Sequence, residues 1–201
     1  MEFAHAENFI DVLPALNYLV FRGERCRRQS GREQSEKSMA IIGIVAVSRN
    51  GAIGRHGSIP WHYSADLKFF KQQTVGNACV MGSKTWRSLK KPLPNRLNLV
   101  MSREAQVEAD PSVIVLRDKQ AVLSLKPYLS CDLFIIGGQQ IYRAFAGEID
   151  RWIVTEIPLV VEDADTFMPE DFLQGFKPYD SRQLEENLNV TFYERSEQST
   201  K

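Results

Sequence analysis

The feature that most constrains the fold is the uninterrupted apolar run at residues 41–47, IIGIVAV. A short run rich in β-branched residues is typical of a strand that is buried on both faces. Further short runs of this kind follow, and helical patterns separate several of them. Because strands that alternate with helices usually pair in parallel, the sequence predicts an α/β fold with a mixed, mostly parallel central sheet flanked by helices.

The last part of the chain has a different pattern. Residues 177–197 predict two strands around a turn near Glu186 to Asn189, which gives an antiparallel C-terminal hairpin. The other expected strands are ACVMG, RLNLVMS, SVIVL, DLFIIGG and RWIVTEI. The expected helices are SADLKFFKQQT with Ser64 as its cap, SKTWRSL, a helix capped by Asp118, and QQIYRAFAG.

The composition of the chain changes near residue 38. Residues 22–38 are polar and dense in charge, which is typical of a flexible linker or tail. We therefore expect an N-terminal extension at 1–38 and one domain at 39–201, long enough for a sizeable core. The extension is either a docking or regulatory arm, a disordered segment, or the product of an upstream start with Met39 as the working initiator.

Overall charge and hydropathy argue against two classes of partner. The chain has 25 basic and 25 acidic residues, whereas a nucleic-acid-binding protein usually carries a basic excess. The best candidate for a membrane span, residues 9–21, contains Asp11 and Pro14 and is shorter than the ~20 residues that cross a bilayer. We expect no nucleic-acid partner, no membrane partner and a monomer, because the pattern shows no surplus apolar surface.

The cysteines and histidines argue against a disulfide framework and a metal site. The chain has three cysteines, an odd number, and Cys79 and Cys131 lie in apolar stretches, as is typical of reduced, buried thiols in the cytoplasm. The three histidines lack the spacing of metal ligands, and no serine lies in a GxSxG motif. We therefore expect a cytoplasmic chain without a bound metal.

An isolated carboxylate in an aromatic stretch is the first candidate for chemistry. Asp66 lies in IPWHYSADLKFFK, and on a helix it shares a face with Phe69 and Phe70. If Leu67 and Phe70 make the main apolar contact, Asp66 lies at the rim of an apolar pocket, where burial raises the pKa of its carboxyl. Such a group transfers protons near neutral pH or binds an amidine-like ring. The alternative is a carboxylate that only favours the helix dipole.

Two glycine turns are the second candidate. In FIIGGQQIY a buried strand runs into Gly137 and Gly138 and then into a helix, which lets a phosphate approach main-chain amides. In MGSKTW, residues 81–86, a glycine again lies between a strand and a helix. In each turn alone, the need for a tight turn would also explain the glycines. Two such turns in one sheet, however, suit the two ends of a pyrophosphate-containing cofactor. Neither is the GxGxxG fingerprint of dinucleotide-binding folds.

Two arginines accompany these turns. The prolines of KKPLPNR stiffen the chain before Arg96, and a rigidly held arginine suits bidentate recognition of a carboxylate. Arg103 follows a strand and adds positive charge near the glycine turns. Both are equally compatible with ordinary charges at strand ends.

Together these segments resemble the dihydrofolate reductase family, most closely its bacterial members. The resemblance covers residues 39 to about 197 and rests on GIVAVSRNGAIGRHGSIPWHYSADLKFFK, VMGSKTWRSL, PLPNR, FIIGGQQIY and WIVTEI, in the family's order and spacing. It implies NADPH-dependent reduction of 7,8-dihydrofolate to 5,6,7,8-tetrahydrofolate in one-carbon metabolism, by hydride transfer to C6 and protonation of N5. The implied ligands are therefore dihydrofolate as substrate and NADPH as cofactor.

The resemblance also implies roles for individual residues. Asp66 would hydrogen-bond the pterin and help protonate N5, with Thr155 supporting the carboxylate and Trp61 holding a water. Arg96 would pair with the carboxylate of the glutamate tail. The other implied substrate contacts are Ile44, Val45, Leu67, Phe70, Leu89 and Ile136. The implied cofactor contacts are Ala46, Ile53, Gly54, Ile59, Lys84, Thr85, Ser102, Arg103, Gly137, Gly138, Gln139, Gln140, Ile141 and Tyr142, and residues 48–62 match a mobile loop over the nicotinamide.

The chain departs from the common family pattern at three places. Ile59 replaces a Met or Leu, and GGQQ lacks the third glycine of the family turn. Ser83 stands where many members have a basic residue that binds the 2′-phosphate of NADPH. Lys84 and Arg103 are the two cations expected to take over that role.

Two other functions fit parts of the pattern. A reductase on the same fold could act on a pyrimidine intermediate of riboflavin synthesis or on another pterin, although such an enzyme would need neither Asp66 nor Arg96. A non-catalytic folate- or nucleotide-binding protein is the second alternative, and Asp66, Thr155 and Trp61 argue against it.

Overall fold

The computed structural model describes residues 39–103 and 112–196. The expected N-terminal extension at 1–38 lies outside these residues. The strands in chain order are β1 (Ile41–Ser48), β2 (Ala52–Gly54), β3 (Ala78–Gly82), β4 (Leu97–Met101), β5 (Val113–Leu116), β6 (Leu133–Gly137), β7 (Arg151–Ile157), β8 (Thr166–Phe167), β9 (Phe176–Glu185) and β10 (Leu188–Arg195). The helices are α1 (Ser64–Thr74), α2 (Ser83–Ser88), α3 (Lys119–Leu123), a 3₁₀ turn (Lys126–Tyr128) and α4 (Gln139–Phe145).

Within the described ranges, eight strands form the main sheet, in the order β5-β4-β3-β6-β1-β7-β10-β9. The six strands from β5 to β7 run parallel, whereas β10 is antiparallel to both β7 and β9. Strands β2 and β8 form a separate antiparallel pair. The predicted mixed sheet and its C-terminal hairpin are therefore confirmed, and the hairpin turn falls at residues 186–187.

Two apolar layers sandwich the sheet, because successive side chains of a strand point to opposite faces. On β1, Ile42 and Ile44 belong to one buried cluster, which also contains Phe69 of α1. Ile41 and Val45 belong to the other cluster, which the buried residues of α3 and α4 complete. The run at 41–47 is thus covered on both faces, as its composition predicts.

Helix α1 starts and packs somewhat differently from the prediction. Its N-cap is Tyr63, whose side chain makes no capping hydrogen bond, so the prediction that Ser64 caps the helix is wrong. The prediction that Leu67 makes a main apolar contact is also wrong, because Leu67 is 48% exposed and Phe69 is buried instead. The Phe69 ring meets Phe192 of β10 edge to face, with 6.1 Å between centroids.

The cap of α3 follows the prediction. The Asp118 carboxylate accepts a hydrogen bond of 2.8 Å from the Ala121 amide. Such a bond satisfies one of the main-chain donors that a helix leaves free at its N-terminus.

Candidate active site

The candidate site lies where the parallel strands β1, β3 and β6 end. Strand β6 lies between β3 and β1 although it follows both in sequence, so the strand order reverses at this position. In open α/β sheets, ligands bind in the crevice outside the carboxyl ends of the strands at such a reversal. The turn after β6 and the start of α2 after β3 are therefore placed side by side.

Asp66 projects from the first turn of α1, where it is half-buried. Burial raises the pKa of its carboxyl above the ordinary value, and a hydrogen-bonding interaction with the Thr155 side chain lowers it in part. Thr155 is only 2% exposed and pairs in register with Ala46 of β1. A carboxyl from a helix and a hydroxyl from the sheet thus meet at one end of the β1–β7 pair.

The wall beside Asp66 is apolar. Ile44 belongs to the same buried cluster as Phe69, and three expected substrate contacts pack against that cluster: Phe70, Leu89 and Ile136. Val45 belongs to the opposite cluster, because it follows Ile44 on the strand and points to the other face. A ligand near Asp66 would therefore meet the side chain of Ile44 but not that of Val45.

Arg96 is held before β4 by contacts on two sides. Its Nη1 donates a hydrogen bond of 2.9 Å to the Thr74 hydroxyl, and its Nε donates one of 3.2 Å to the Pro94 carbonyl. The guanidinium carbon lies 5.8 Å from the centroid of the Phe70 ring. A positive charge is thus fixed next to the apolar wall, as bidentate carboxylate recognition requires. Thr74, which the sequence analysis missed, is one of its anchors.

The two glycine turns come into contact. A Cβ atom placed on Gly138 would lie 3.5 Å from the Thr85 hydroxyl of α2, and one placed on Gly82 would lie 3.1 Å from Ile141 of α4. Gly137 has a φ of +113°, which side-chain-bearing residues rarely adopt, and the Gly137–Gly138 peptide bond is cis. Two helix starts and a turn without side chains therefore converge on one space.

Tyr142 of α4 links the Gly137–Gly138 turn to the central strand β1. Its hydroxyl donates a hydrogen bond of 2.8 Å to the Ile44 carbonyl, and burial raises the pKa of the phenol. Tyr142 is 5% exposed, and its ring lies within 3.3 Å of a Cβ placed on Gly137. The contact joins a predicted cofactor residue to a predicted substrate residue.

The loop after β1 carries contacts that sequence reasoning did not identify. Arg55 forms an ion pair of 3.1 Å with Asp163, and the His56 amide donates a hydrogen bond of 2.8 Å to the Asp165 carboxylate. These contacts link the loop to the segment around β8, more than 100 residues away, so no local pattern signals them. Within the loop, Ile59 is 60% exposed.

The remaining expected cofactor residues differ in exposure. Lys84, Gln140 and Arg103 are exposed, whereas Ser102 is buried. Arg117 donates a hydrogen bond of 2.9 Å to the Arg103 carbonyl, so a further cation, missed in the sequence, lies next to this end of the site.

No group of three or more histidine, cysteine or carboxylate side chains suited to a metal ion occurs in residues 39–103 and 112–196. Among the helices of the same ranges, none is long and apolar enough to cross a membrane.

The comparisons with known proteins agree with this geometry. The sequence profile of the dihydrofolate reductase family matches residues 40–196. The chain belongs to the dihydrofolate reductase family. The enzyme of Mycobacterium leprae is 37% identical over 137 residues, which are 65% of this chain and 82% of that protein. The type 3 dihydrofolate reductase of Salmonella typhimurium is 38% identical over 140 residues, 69% of this chain and 84% of that protein.

A solved structure from the same family supports the fold. Dihydrofolate reductase from Enterococcus faecalis, solved in complex with NADP(H) and RAB-propyl, has a TM-score of 0.71 and 28% sequence identity. The match covers 78% of this chain and 96% of that one. Membership of this family favours dihydrofolate reduction over the two alternatives, which are reduction of a riboflavin precursor and ligand binding without catalysis.

Proposed function

We propose that the cleft beside Asp66 performs the reaction of this family in the present chain, with the residue roles described below. The protein is an NADPH-dependent oxidoreductase that reduces 7,8-dihydrofolate to 5,6,7,8-tetrahydrofolate. The observation that carries the assignment is the half-buried Asp66, whose carboxyl has a raised pKa and lies with Thr155 beside an apolar wall. A proton donor in a water-poor pocket is what protonation of a ring nitrogen requires.

The Asp66 carboxylate would accept hydrogen bonds from the amino group and N3 of the pterin. It would also supply the proton for N5 of the pterin through a water. Its raised pKa keeps a larger fraction of the carboxyl protonated near neutral pH than an exposed aspartate has. Thr155 would orient the carboxyl and limit the rise in its pKa. Trp61, half-buried just before α1, would hold the water.

Arg96 would bind the far end of the substrate. Its guanidinium lies over Phe70 and is held by Thr74, so its position needs little ordering when a carboxylate arrives. Between Asp66 and Arg96, the aminobenzoyl part would contact the half-buried Phe70 and Leu89 together with Ile136. The exposed Leu67 would cover the outer side, and Val45 would contribute only its main chain.

The residues around the glycine turns fit the cofactor. The cradle at Gly138 is one that a Cβ would fill, and it opens beside the Thr85 hydroxyl and the first amides of α4. When bound there, NADPH supplies the hydride that reduces C6 of the pterin. Ser102 and the amides that follow Gly138 would hold the pyrophosphate, with Gln139, Gln140 and Ile141 at the start of α4. Lys84, Arg103 and Arg117 would place positive charge near the 2′-phosphate.

The nicotinamide end would lie against β1 and its loop. The Tyr142 hydroxyl holds the Ile44 carbonyl, which fixes this part of β1 beside the ring site. Ala46, Ile53 and Gly54 would contact the nicotinamide, and the exposed Ile59 would close over it. The contacts of Arg55 and His56 with the β8 segment would position the loop.

We also propose a cytoplasmic monomer whose catalytic domain comprises residues 39–201. Cys79 and Cys131 are free thiols, and burial raises the pKa of the Cys79 thiol to about 12, so it stays neutral and unreactive. The extension at 1–38 has no role in this proposal.

The activity is tested by following loss of reduced-nicotinamide absorbance when purified protein, NADPH and dihydrofolate are mixed. Fast loss that requires dihydrofolate supports the proposal, and the control substrate is a pyrimidine precursor of riboflavin that has not yet been reduced. Faster loss with that precursor, or binding of both ligands without turnover, would contradict it. The same assay with NADH measures how far Lys84 and Arg103 compensate for Ser83.

A further inference from the structure

The Tyr142 hydroxyl lies between two parts of the proposed cofactor end, strand β1 and the glycine turn. It donates a hydrogen bond of 2.8 Å to the Ile44 carbonyl of β1. The same oxygen lies 3.2 Å from a Cβ placed on Gly137. Both contacts depend on the angle of the Tyr142 ring, because side-chain rotation moves the hydroxyl at its far end most. A group that fixes this angle therefore acts on the cofactor site without touching the cofactor.

Trp152 of β7 packs directly against the Tyr142 ring. The two ring centroids are 5.5 Å apart, and the ring planes are tilted by 51°. Trp152 is 1% exposed, so it has almost no surface with which to touch a ligand. Its Nε1 has no hydrogen-bond partner among residues 39–103 and 112–196. The effect of Trp152 on its neighbours within these ranges therefore comes from ring contacts rather than from a hydrogen bond of its side chain.

Two further contacts hold the Trp152 ring in place. Phe172 meets it edge to face, with 5.2 Å between centroids and 82° between planes. On the other side, Gly43 of β1 pairs in register with Trp152, and a Cβ placed on Gly43 would collide with Cε3 and Cζ3 of the indole. The indole thus occupies space that a side chain at position 43 would fill. A ring held on these sides is a firm support for Tyr142.

We infer that Trp152 is a positioning residue for the cofactor, because it holds the Tyr142 hydroxyl on the Ile44 carbonyl. This contact keeps β1 and the Gly137–Gly138 turn aligned for the nicotinamide end. The inference rests on the proposed function, since it assigns a role at the proposed cofactor site. A smaller aliphatic side chain at position 152 leaves free volume beside Tyr142, into which the surrounding side chains relax in part. The Tyr142 ring then turns and its hydroxyl leaves the carbonyl.

The test is equilibrium titration of NADP⁺ and of folate, each alone, with the full chain and with Trp152→Leu. We expect NADP⁺ binding to weaken by about tenfold, the equivalent of one hydrogen bond, and folate binding to change little. Trp152→Phe keeps an aromatic ring and should lie closer to the unmutated chain.

Leu133→Ala is the matched control for lost packing. Leu133 is fully buried in the same apolar cluster as Trp152, but it lies at the start of β6, away from the carboxyl end where the cleft is proposed. It should lower the melting temperature, as Trp152→Leu does, and leave both affinities unchanged. If Leu133→Ala weakened NADP⁺ binding as much as Trp152→Leu, general loss of packing would explain the effect and the inference would be wrong.

The same titrations in the Tyr142→Phe background test the route of the effect. With no hydroxyl to position, Trp152→Leu should weaken NADP⁺ binding there by no more than about twofold. An equal loss in both backgrounds would overturn the inference, because Trp152 would then act independently of the hydroxyl.

Gly43→Ala displaces the indole from the side of β1 and is the second variant if Trp152→Leu does not fold. It should also weaken NADP⁺ binding more than folate binding. Unchanged NADP⁺ binding, or an equal loss for both ligands, in the variant that folds would overturn the inference. Failure of the proposed function is distinguishable, because the unmutated chain itself would then not oxidise NADPH with dihydrofolate.

Discussion

The two ends of the proposed catalytic cleft are built in different ways. The pterin end uses individual side chains: Asp66 from α1, Thr155 from β7 and Arg96 from the segment before β4. The cofactor end uses main-chain atoms around Gly137 and Gly138, where the absence of side chains creates the space. Side-chain recognition should be lost when one functional group is replaced, whereas main-chain recognition should be lost when an atom is added.

The largest effect is expected for Asp66→Asn. The variant keeps the shape of the side chain but cannot deliver a proton, so turnover at neutral pH should fall by ~10²–10⁴-fold, the usual contribution of general acid catalysis. Steady-state oxidation of NADPH measures it. Asp171→Asn is the matched control, because it makes the same chemical change at an exposed aspartate outside the proposed cleft. Equal losses in both variants would contradict a specific role for Asp66.

The next effect is expected at the other end of the substrate. Arg96→Ala should weaken folate binding by ~10–100-fold, the cost of charge-assisted hydrogen bonds, while NADP⁺ binding changes little. Equilibrium titration of each ligand separates the two effects. Arg96→Lys keeps the charge without the planar guanidinium and should lie between wild type and alanine. If Arg96→Ala weakened both ligands equally, the proposed carboxylate contact would be wrong.

The opposite selectivity is expected when one carbon is added at Gly138, because binding of NADP⁺ should weaken and binding of folate should not. Gly138→Ala places a methyl group 3.5 Å from the Thr85 hydroxyl, an ordinary contact that the fold can accept, but one that fills the phosphate cradle. NADP⁺ binding should weaken by about tenfold, the equivalent of one hydrogen bond, and folate binding should not change. Gly147→Ala, where a Cβ meets nothing within 4 Å, is the matched control. Unchanged NADP⁺ binding to Gly138→Ala would place the phosphates elsewhere.

A smaller effect is expected for Thr155→Val. Thr155 lowers the pKa of the Asp66 carboxyl, so its removal raises that pKa further. Because the proton-dependent rate falls as the carboxyl ionises, the alkaline limb of the pH–rate profile should move to higher pH. Turnover should change by less than about tenfold. Thr191→Val on β10 is the control and should leave the profile in place. A shift to lower pH would reverse the sign of the proposed interaction.

The smallest effect is expected for deletion of residues 1–38. None of the residues proposed for either end of the cleft belongs to this extension, so we expect kcat and both Michaelis constants to equal those of the full chain. A large loss of activity in the shortened protein would show that the extension is part of the working enzyme.

The sequence predicts those features that depend on local patterns. The apolar run of β1, the Asp118 cap and the C-terminal hairpin follow from side-chain periodicity and turn chemistry, and the structure confirms each. Helix α1 is a partial exception. Apolar residues at 67, 69 and 70 allow more than one buried face, and packing against Phe192, more than 100 residues away, selects Phe69.

The rest of the candidate site depends on contacts between distant segments. Tyr142 reaches the Ile44 carbonyl across 98 residues, and Arg55 reaches Asp163 across 108. No pattern within a short window carries such information, because the strand order that creates these contacts is set by the whole sheet. For the same reason, the sequence alone did not identify Thr74 as the anchor of Arg96.

The most direct measurement is the single-turnover rate of NADPH oxidation by the full chain with dihydrofolate, across pH, beside Asp66→Asn. Burial raises the pKa of the Asp66 carboxyl, so the wild-type rate should decline as the pH rises through this raised pKa. The variant should be far slower at neutral pH and recover in part at low pH, where dihydrofolate arrives already protonated. A variant that matches the wild-type rate at neutral pH would remove Asp66 from the proton path and contradict the account.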